Sequence, residues 1–234
     1  MTIHASMRLA ALSVLAVMSA TALARAEGPS VERSWTGAYV GAGLDVGYLS
    51  TDQYSPPQQG YGGYEAAAYA GWHPYPSLQA GFDLQLDQAV LGLRLQHSVT
   101  NSDGDSFMKV DELVSSNATA LTSLSARAGY LFQSQLLGYV SAGVVAGQFN
   151  YGSVDERWGL VADSVDAIRN GWSIGAGLEH RLTDTVSVFT EYTHVQFQTA
   201  STSFDYGPDA LPPGWTYDYT HSLGTVQAGL NFRF

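Results

Sequence analysis

Residues 222–234 read SLGTVQAGLNFRF. Drawn as a strand, they put Val226, Ala228, Leu230, Phe232 and Phe234 on one face and Thr225, Gln227, Gly229, Asn231 and Arg233 on the other. Side chains of a strand alternate between its two faces, so this strict period of two predicts a strand with one continuous apolar side. Such a side has to meet either a protein core or lipid.

The alternation recurs along the chain. It predicts strands over residues 35–49, 78–86, 89–99, 121–132, 136–149, 172–182 and 186–197, with 222–234 the eighth. Short turns are expected at Asp87-Gln88, Gln133-Ser134-Gln135 and Thr183-Asp184-Thr185. They alternate with long segments, 50–77, 100–120, 150–171 and 199–221, which read as loops from their Gly, Pro, Ser, Asn and Asp content. Three short turns between four long loops make every neighbouring pair antiparallel and put both ends of the barrel chain on the short-turn side. Within the fourth loop, Trp215, Tyr217, Tyr219 and His221 share a parity, which suggests a ribbon with an exposed aromatic face and a binding edge.

Charge distinguishes lipid from water. Eight charged residues fall inside the predicted strands: Asp45, Asp83, Arg94, Arg127, Glu179, Arg181, Glu191 and Arg233. All eight have the parity opposite to the Leu, Val, Ala and aromatic series. They are four acids and four bases on a face otherwise made of Gly, Ser, Thr and Gln, which suits a narrow interior where charges pair. A basic residue on the lipid side near the midplane would cost roughly 2–4 kcal/mol. An open sheet edge in lipid leaves backbone groups unpaired, so the sheet must close. About eight strands give an interior that side chains fill. The fold expected is therefore all-β, an eight-stranded antiparallel up-and-down transmembrane β-barrel with a packed, ion-paired lumen. Aromatics near the predicted strand ends, Trp35, Tyr48, Tyr130, Phe132, Trp172 and Tyr192, are expected to form interface girdles.

Composition removes several alternatives. The chain has no Cys, hence neither disulfides nor a thiolate site. It carries 10 basic and 21 acidic residues, a formal charge of −11, with no basic footprint for nucleic acid. The N-terminus reads as a secretory signal: Arg8, an apolar run over 9–24, and small-residue cleavage sites ending at Ala24 or Ala26. A signal over 1–26 and a barrel domain over 27–234 are expected.

The segments WTGAYVGAGLDVG (35–47), SARAGYLFQSQLLGYVSAGVVAG (125–147), GWSIGAGLEHRLTDTVSVFTEYTHV (171–195) and HSLGTVQAGLNFRF (221–234) resemble the small outer-membrane β-barrels of Gram-negative bacteria, the opacity-protein and OmpA-like barrels. The resemblance implies localisation in the outer membrane, contact with lipid and lipopolysaccharide, and no shared catalytic residues. It also implies that the C-terminal strand, with Val226, Leu230, Phe232 and Phe234, is the signal read by the barrel-insertion machinery.

Other motifs have plain explanations. Gly41-Ala-Gly43 and Gly175-Ala-Gly177 lie inside strands with no helix following, so they are wall glycines and no nucleotide loop. Asn101-Ser-Asp103-Gly-Asp105 lacks the spacing and distal Glu of a calcium hand. His221 and Ser222 are adjacent and would face opposite sides of a strand, while His180 and His194 have lipid-side parity; neither arrangement makes a catalytic pair. No cofactor, metal or enzyme activity is expected. A structural role in the envelope is the leading expectation, with loop-borne surface adhesion and a narrow channel as alternatives.

Overall fold

A computed structural model describes residues 34–57, 64–69, 73–100, 106–109, 112–155, 160–161, 164–205 and 214–234. The expected signal over 1–26 and the motif at 101–105 lie outside them. The unit described is Trp35–Phe234.

Among the described residues, twelve strands form one antiparallel sheet. They are β1 (Gly37–Ser55), β2 (Tyr64–Tyr69), β3 (His73–Leu86), β4 (Ala89–Val99), β5 (Ser106–Lys109), β6 (Glu112–Gln133), β7 (Leu136–Asp155), β8 (Leu160–Val161), β9 (Val165–Arg181), β10 (Val186–Phe197), β11 (Ala200–Asp205) and β12 (Gly214–Arg233). Eight of them form the wall, in the order β1-β3-β4-β6-β7-β9-β10-β12. β12 then pairs with β1 from Tyr39↔Arg233 to Tyr54↔Asp218. Every wall strand thus has a partner on both sides and the ring closes without an edge, as strands in lipid require. β2, β5, β8 and β11 are short return strands on the long-loop side, paired to β1, β6, β7 and β12.

The outward face carries an apolar belt. It runs from Ala38 to Tyr48 in β1 and from Trp172 in β9 to Leu182 just past its end, eleven residues in each case. That is the length a tilted strand needs to cross a bilayer. Leu78, Phe82, Leu93, Leu124, Val140 and Ile174 stand more than half exposed on this face. In water they would be a large liability; in lipid they are the solvated surface.

The long segments are corrected by the structure. Much of what reads as loop continues the wall: β1 runs six residues past Leu49, β7 six past Phe149, and β12 starts eight before Ser222. Gly, Asp and Pro content suggests turns, but the barrel neighbours supply ladder partners that local propensity cannot see. Pro74 and Pro76 show how. They sit in β3 where it pairs with β1 alone, since pairing to β4 begins only at Ser77↔Ser98. Proline lacks an N–H and is tolerated where one side of a strand has no partner.

Candidate functional site: the layered interior

The interior is filled in layers, and alternate strands contribute to alternate layers. The lowest layer, next to the short turns, is a floor of Trp35, Val90, Leu131, Leu137 and Tyr139. Trp35 is fully buried; its indole N–H donates to the Ser134 carbonyl at 3.2 Å and its ring lies under Arg181 (4.4 Å) and Arg233 (4.6 Å). This corrects its assignment to a girdle. Trp35 precedes the first strand and turns inward, where a cation-π partner is worth more than the interface.

Above the floor, every second wall strand sends one charged side chain to a single knot. Asp83 comes from β3, Arg127 from β6, Glu179 from β9 and Arg233 from β12. Arg127 donates from Nε to Asp83 at 2.8 Å and from Nη1 to Glu179 at 2.9 Å. Arg233 reaches Asp83 at 2.8 Å and Glu179 at 3.0 Å. Ser187 and Asn231 donate to the remaining capacity of Glu179, and the Tyr39 ring packs under both arginines. Burying charge is favourable only when the partners satisfy it in this way. Two wall glycines make the room: a Cβ on Gly81 would meet the Tyr39 ring at 2.5 Å, and one on Gly177 the Tyr139 ring at 2.6 Å.

The next layer uses the intervening strands. Arg94 of β4 makes a bidentate pair with Glu191 of β10, one arm at 2.8 Å. Glu191 also accepts from Tyr139 (2.9 Å) and Ser141 (2.7 Å) of β7. Asp45, the β1 member of this layer, is buried but stands apart from these pairs, over a polar chamber of about 50 Å³. All eight charged residues singled out in the sequence are thus inside the ring. Six form the two ion-pair groups; Arg181 stacks on Trp35, and Asp45 faces the chamber.

The top of the lumen is aromatic. Phe149, Tyr151, Phe197, Phe204, Tyr217 and Tyr219 form one buried cluster with Leu49, Leu121 and Leu223. This corrects the exposed aromatic ribbon: Tyr217, Tyr219 and His221 continue the inward parity of Leu223, Thr225 and Gln227 and point into the barrel. His221 stacks on Phe149 with ring centroids 4.4 Å apart. Its Nδ1 lies 2.8 Å from the Thr51 hydroxyl and its Nε2 2.7 Å from the Tyr151 hydroxyl. Arg169 donates to that same Tyr151 oxygen at 3.1 Å. Both ring nitrogens of His221 are thus hydrogen-bonded to hydroxyls. Burial, followed by the nearby Arg169 charge, holds this imidazole neutral, with its pKa lowered to about 3. Burial pushes the Tyr151 hydroxyl up. Sequence reasoning missed Arg169, Tyr151 and Thr202, the hydroxyl partner of Arg169, because it read their segments as loops.

On the outside, Tyr130 and Phe132 pair edge to face near the short turns, while Tyr48, Trp172 and Tyr192 mark the upper limit of the belt. Leu230, Phe232 and Phe234 are exposed on the belt face and Val226 is half-buried there. His194 lies on the same outward face, edge-on to Trp172 at 6.1 Å. His221 and Ser222 face opposite sides, one sealed and one outward.

The outer membrane protein beta-barrel domain model matches residues 9–234. The chain is 29% identical over 165 residues to a 25 kDa outer-membrane immunogenic protein of Brucella ovis, covering 70% of each. It is 25% identical over 221 residues to a 31 kDa outer-membrane immunogenic protein of Brucella melitensis, covering 86% of this chain and 84% of that one. Among solved structures, the outer membrane protein OprG of Pseudomonas aeruginosa superposes with a TM-score of 0.54 at 11% identity, over 88% of this chain and 99% of that one, a likeness of fold. With its closed ring, lipid-facing belt and charged interior, the chain belongs to the outer-membrane β-barrel domain family and is an outer-membrane protein.

Proposed function

We propose that this barrel is a non-conducting structural protein of the outer membrane that supports envelope integrity. One observation carries the reading: two dissimilar layers fill the lumen one above the other, the ion-paired knot and the aromatic plug. An ion on the barrel axis would have to break buried pairs and then cross the packed aromatic layer, each a barrier of several kcal/mol. No step calls for catalysis. The outward belt is the contact for lipid and lipopolysaccharide, and the face ending in Phe232 and Phe234 is the contact for the insertion machinery. Planar-bilayer recording of the refolded protein tests the reading: no steady openings are expected, and stepwise conductance in the unsubstituted barrel overturns it. Replacing Phe234 by Ala is expected to lower the fraction of heat-modifiable barrel recovered from cells several-fold.

A second reading, surface adhesion, is favoured by the strands that rise beyond the belt. Ser50 and Asp52 of β1 and Asp218, Thr220 and Ser222 of β12 present a polar outward face on a sheet rather than on loose loops. Replacing residues 206–213 by a two-residue Asn-Gly turn keeps the β11–β12 pairing; unchanged attachment to cells or matrix would eliminate this reading.

A further inference from the structure

We propose that the chamber above the Arg94–Glu191 pair is a binding site for one small monovalent cation, held on the carboxylate of Asp45. The site goes beyond the structural role and does not depend on it.

The other three interior acids are each taken up by arginine: Asp83 and Glu179 by Arg127 and Arg233, Glu191 by Arg94. Asp45 is 2% exposed, the Ser77 hydroxyl bonds its carboxylate, and its Oδ2 has no protein partner. Ser77 accepts from the Gln227 amide at 2.7 Å, so its own proton is the one given to Asp45. A carboxylate sealed away from water with an unmet oxygen is expensive unless a positive charge or protic group meets it.

The chamber beside it has the chemistry to do so. Its volume of about 50 Å³ takes roughly three to five water-sized occupants at about 10–15 Å³ each. Its lining is rich in neutral oxygen: the side chains of Ser98, Ser123, Ser125, Thr225 and Gln227 face it with Asp45. Ser125 Oγ, like Asp45 Oδ2, has no protein partner. Hard oxygen donors with a single negative charge suit an alkali cation. A divalent ion takes several carboxylates, and only one lies here. Arg94 at the chamber edge further disfavours a second positive charge, while its Nε–H, also without a protein partner, suits a water of the cation's shell.

An apolar layer lies above the chamber. Leu49, Leu121, Phe149, Phe197 and Leu223 line a second, apolar void of about 30 Å³ between it and the long-loop end. A hydrated ion crosses such a layer slowly, so the bound cation exchanges far more slowly than any ion on the acidic surface.

The test folds the barrel in detergent with sodium chloride, then desalts it into choline chloride of equal ionic strength. Atomic emission is expected to find about one sodium per barrel. The thermal midpoint, read as the gel shift of the folded band, is expected to be higher after folding in sodium or lithium chloride than in choline chloride. Asp45→Asn keeps the volume and removes the charge; it is expected to retain no sodium and to melt alike in all salts. Ser125→Ala, which leaves the carboxylate in place, is expected to retain less than half. No sodium in the unsubstituted barrel, with equal midpoints in sodium and choline, overturns the proposal and makes the chamber a water site. Retention in both variants equal to that of the unsubstituted barrel overturns it as well, placing the ion on the surface acids.

Discussion

The two halves of this barrel interior are built on opposite rules. At belt height β12 turns Val226, Ala228, Leu230 and Phe232 outward and Gln227, Asn231 and Arg233 inward. A few residues higher, the same strand turns Ser222, Thr220 and Asp218 outward and Leu223, Tyr219 and Tyr217 inward. β1 changes in the same way beyond Tyr48, where Ser50 and Asp52 face out and Leu49 faces in. In these two strands the parity does not slip; the solvent changes. Below the switch the wall stands in hydrocarbon and hides its polar groups. Above it the wall stands in water and hides its aromatic ones, as a soluble sheet does. Ile168 and Tyr54 interrupt the polar outer face above the belt but do not reverse it.

Breaking the lower half should have the largest effect. Glu179→Ala leaves Arg127 and Arg233 short of their shared carboxylate and is expected to cost about 3–5 kcal/mol, read from urea unfolding of the heat-modifiable band. The outside of the same half comes next. Val140→Arg places a charge in the belt and is expected to cost about 2–4 kcal/mol. Thr220→Arg, on the outward face above the switch, should cost no more than about 0.5 kcal/mol; an equal cost at both sites would refute the change of solvent.

The upper half responds to pH through His221. The folded pKa of His221 is lowered, so its unfolded form binds more protons in acid. Its contribution to stability is complete above the unfolded value of about 6.5 and is lost as pH falls from there toward the folded value near 3. Proteolytic nicking of the upper hairpins is expected to speed up at pH 5 relative to pH 7.5, and His221→Phe, which keeps the stack, should flatten that dependence. In the same half, Tyr151→Phe is expected to cost about 1 kcal/mol, for the hydroxyl between Arg169 and His221.

The membrane-spanning wall was readable from residue order because lipid imposes one rule on every strand there. Asp83, Arg127, Glu179 and Arg233 could be placed inside from parity alone. Which of them would meet could not, since that depends on barrel tilt and on the gap left by glycines such as Gly81. The upper wall was misread for a related reason. Tyr217, Tyr219 and His221 share a face in the sequence, but the turn-forming residues of their segment point to a loop. Extending the count back from Arg233 through Gln227 and Leu223 would have put them indoors. Trp35 carries the same odd parity as Tyr39 and Asp45, so extending the β1 count back two residues past Gly37 puts it indoors as well.

The four-membered knot has a further consequence for how the cylinder is indexed. Each of its members sits on a different strand, two positions apart around the ring. Sliding any one of those strands by a dipeptide step would keep its greasy side outward, yet it would carry that strand's charge about 7 Å along the wall, away from every counterion. The pattern of greasy and polar residues tolerates such a slip; the knot does not. It works as a vernier, selecting one stagger of the staves from a set that acyl chains alone would accept.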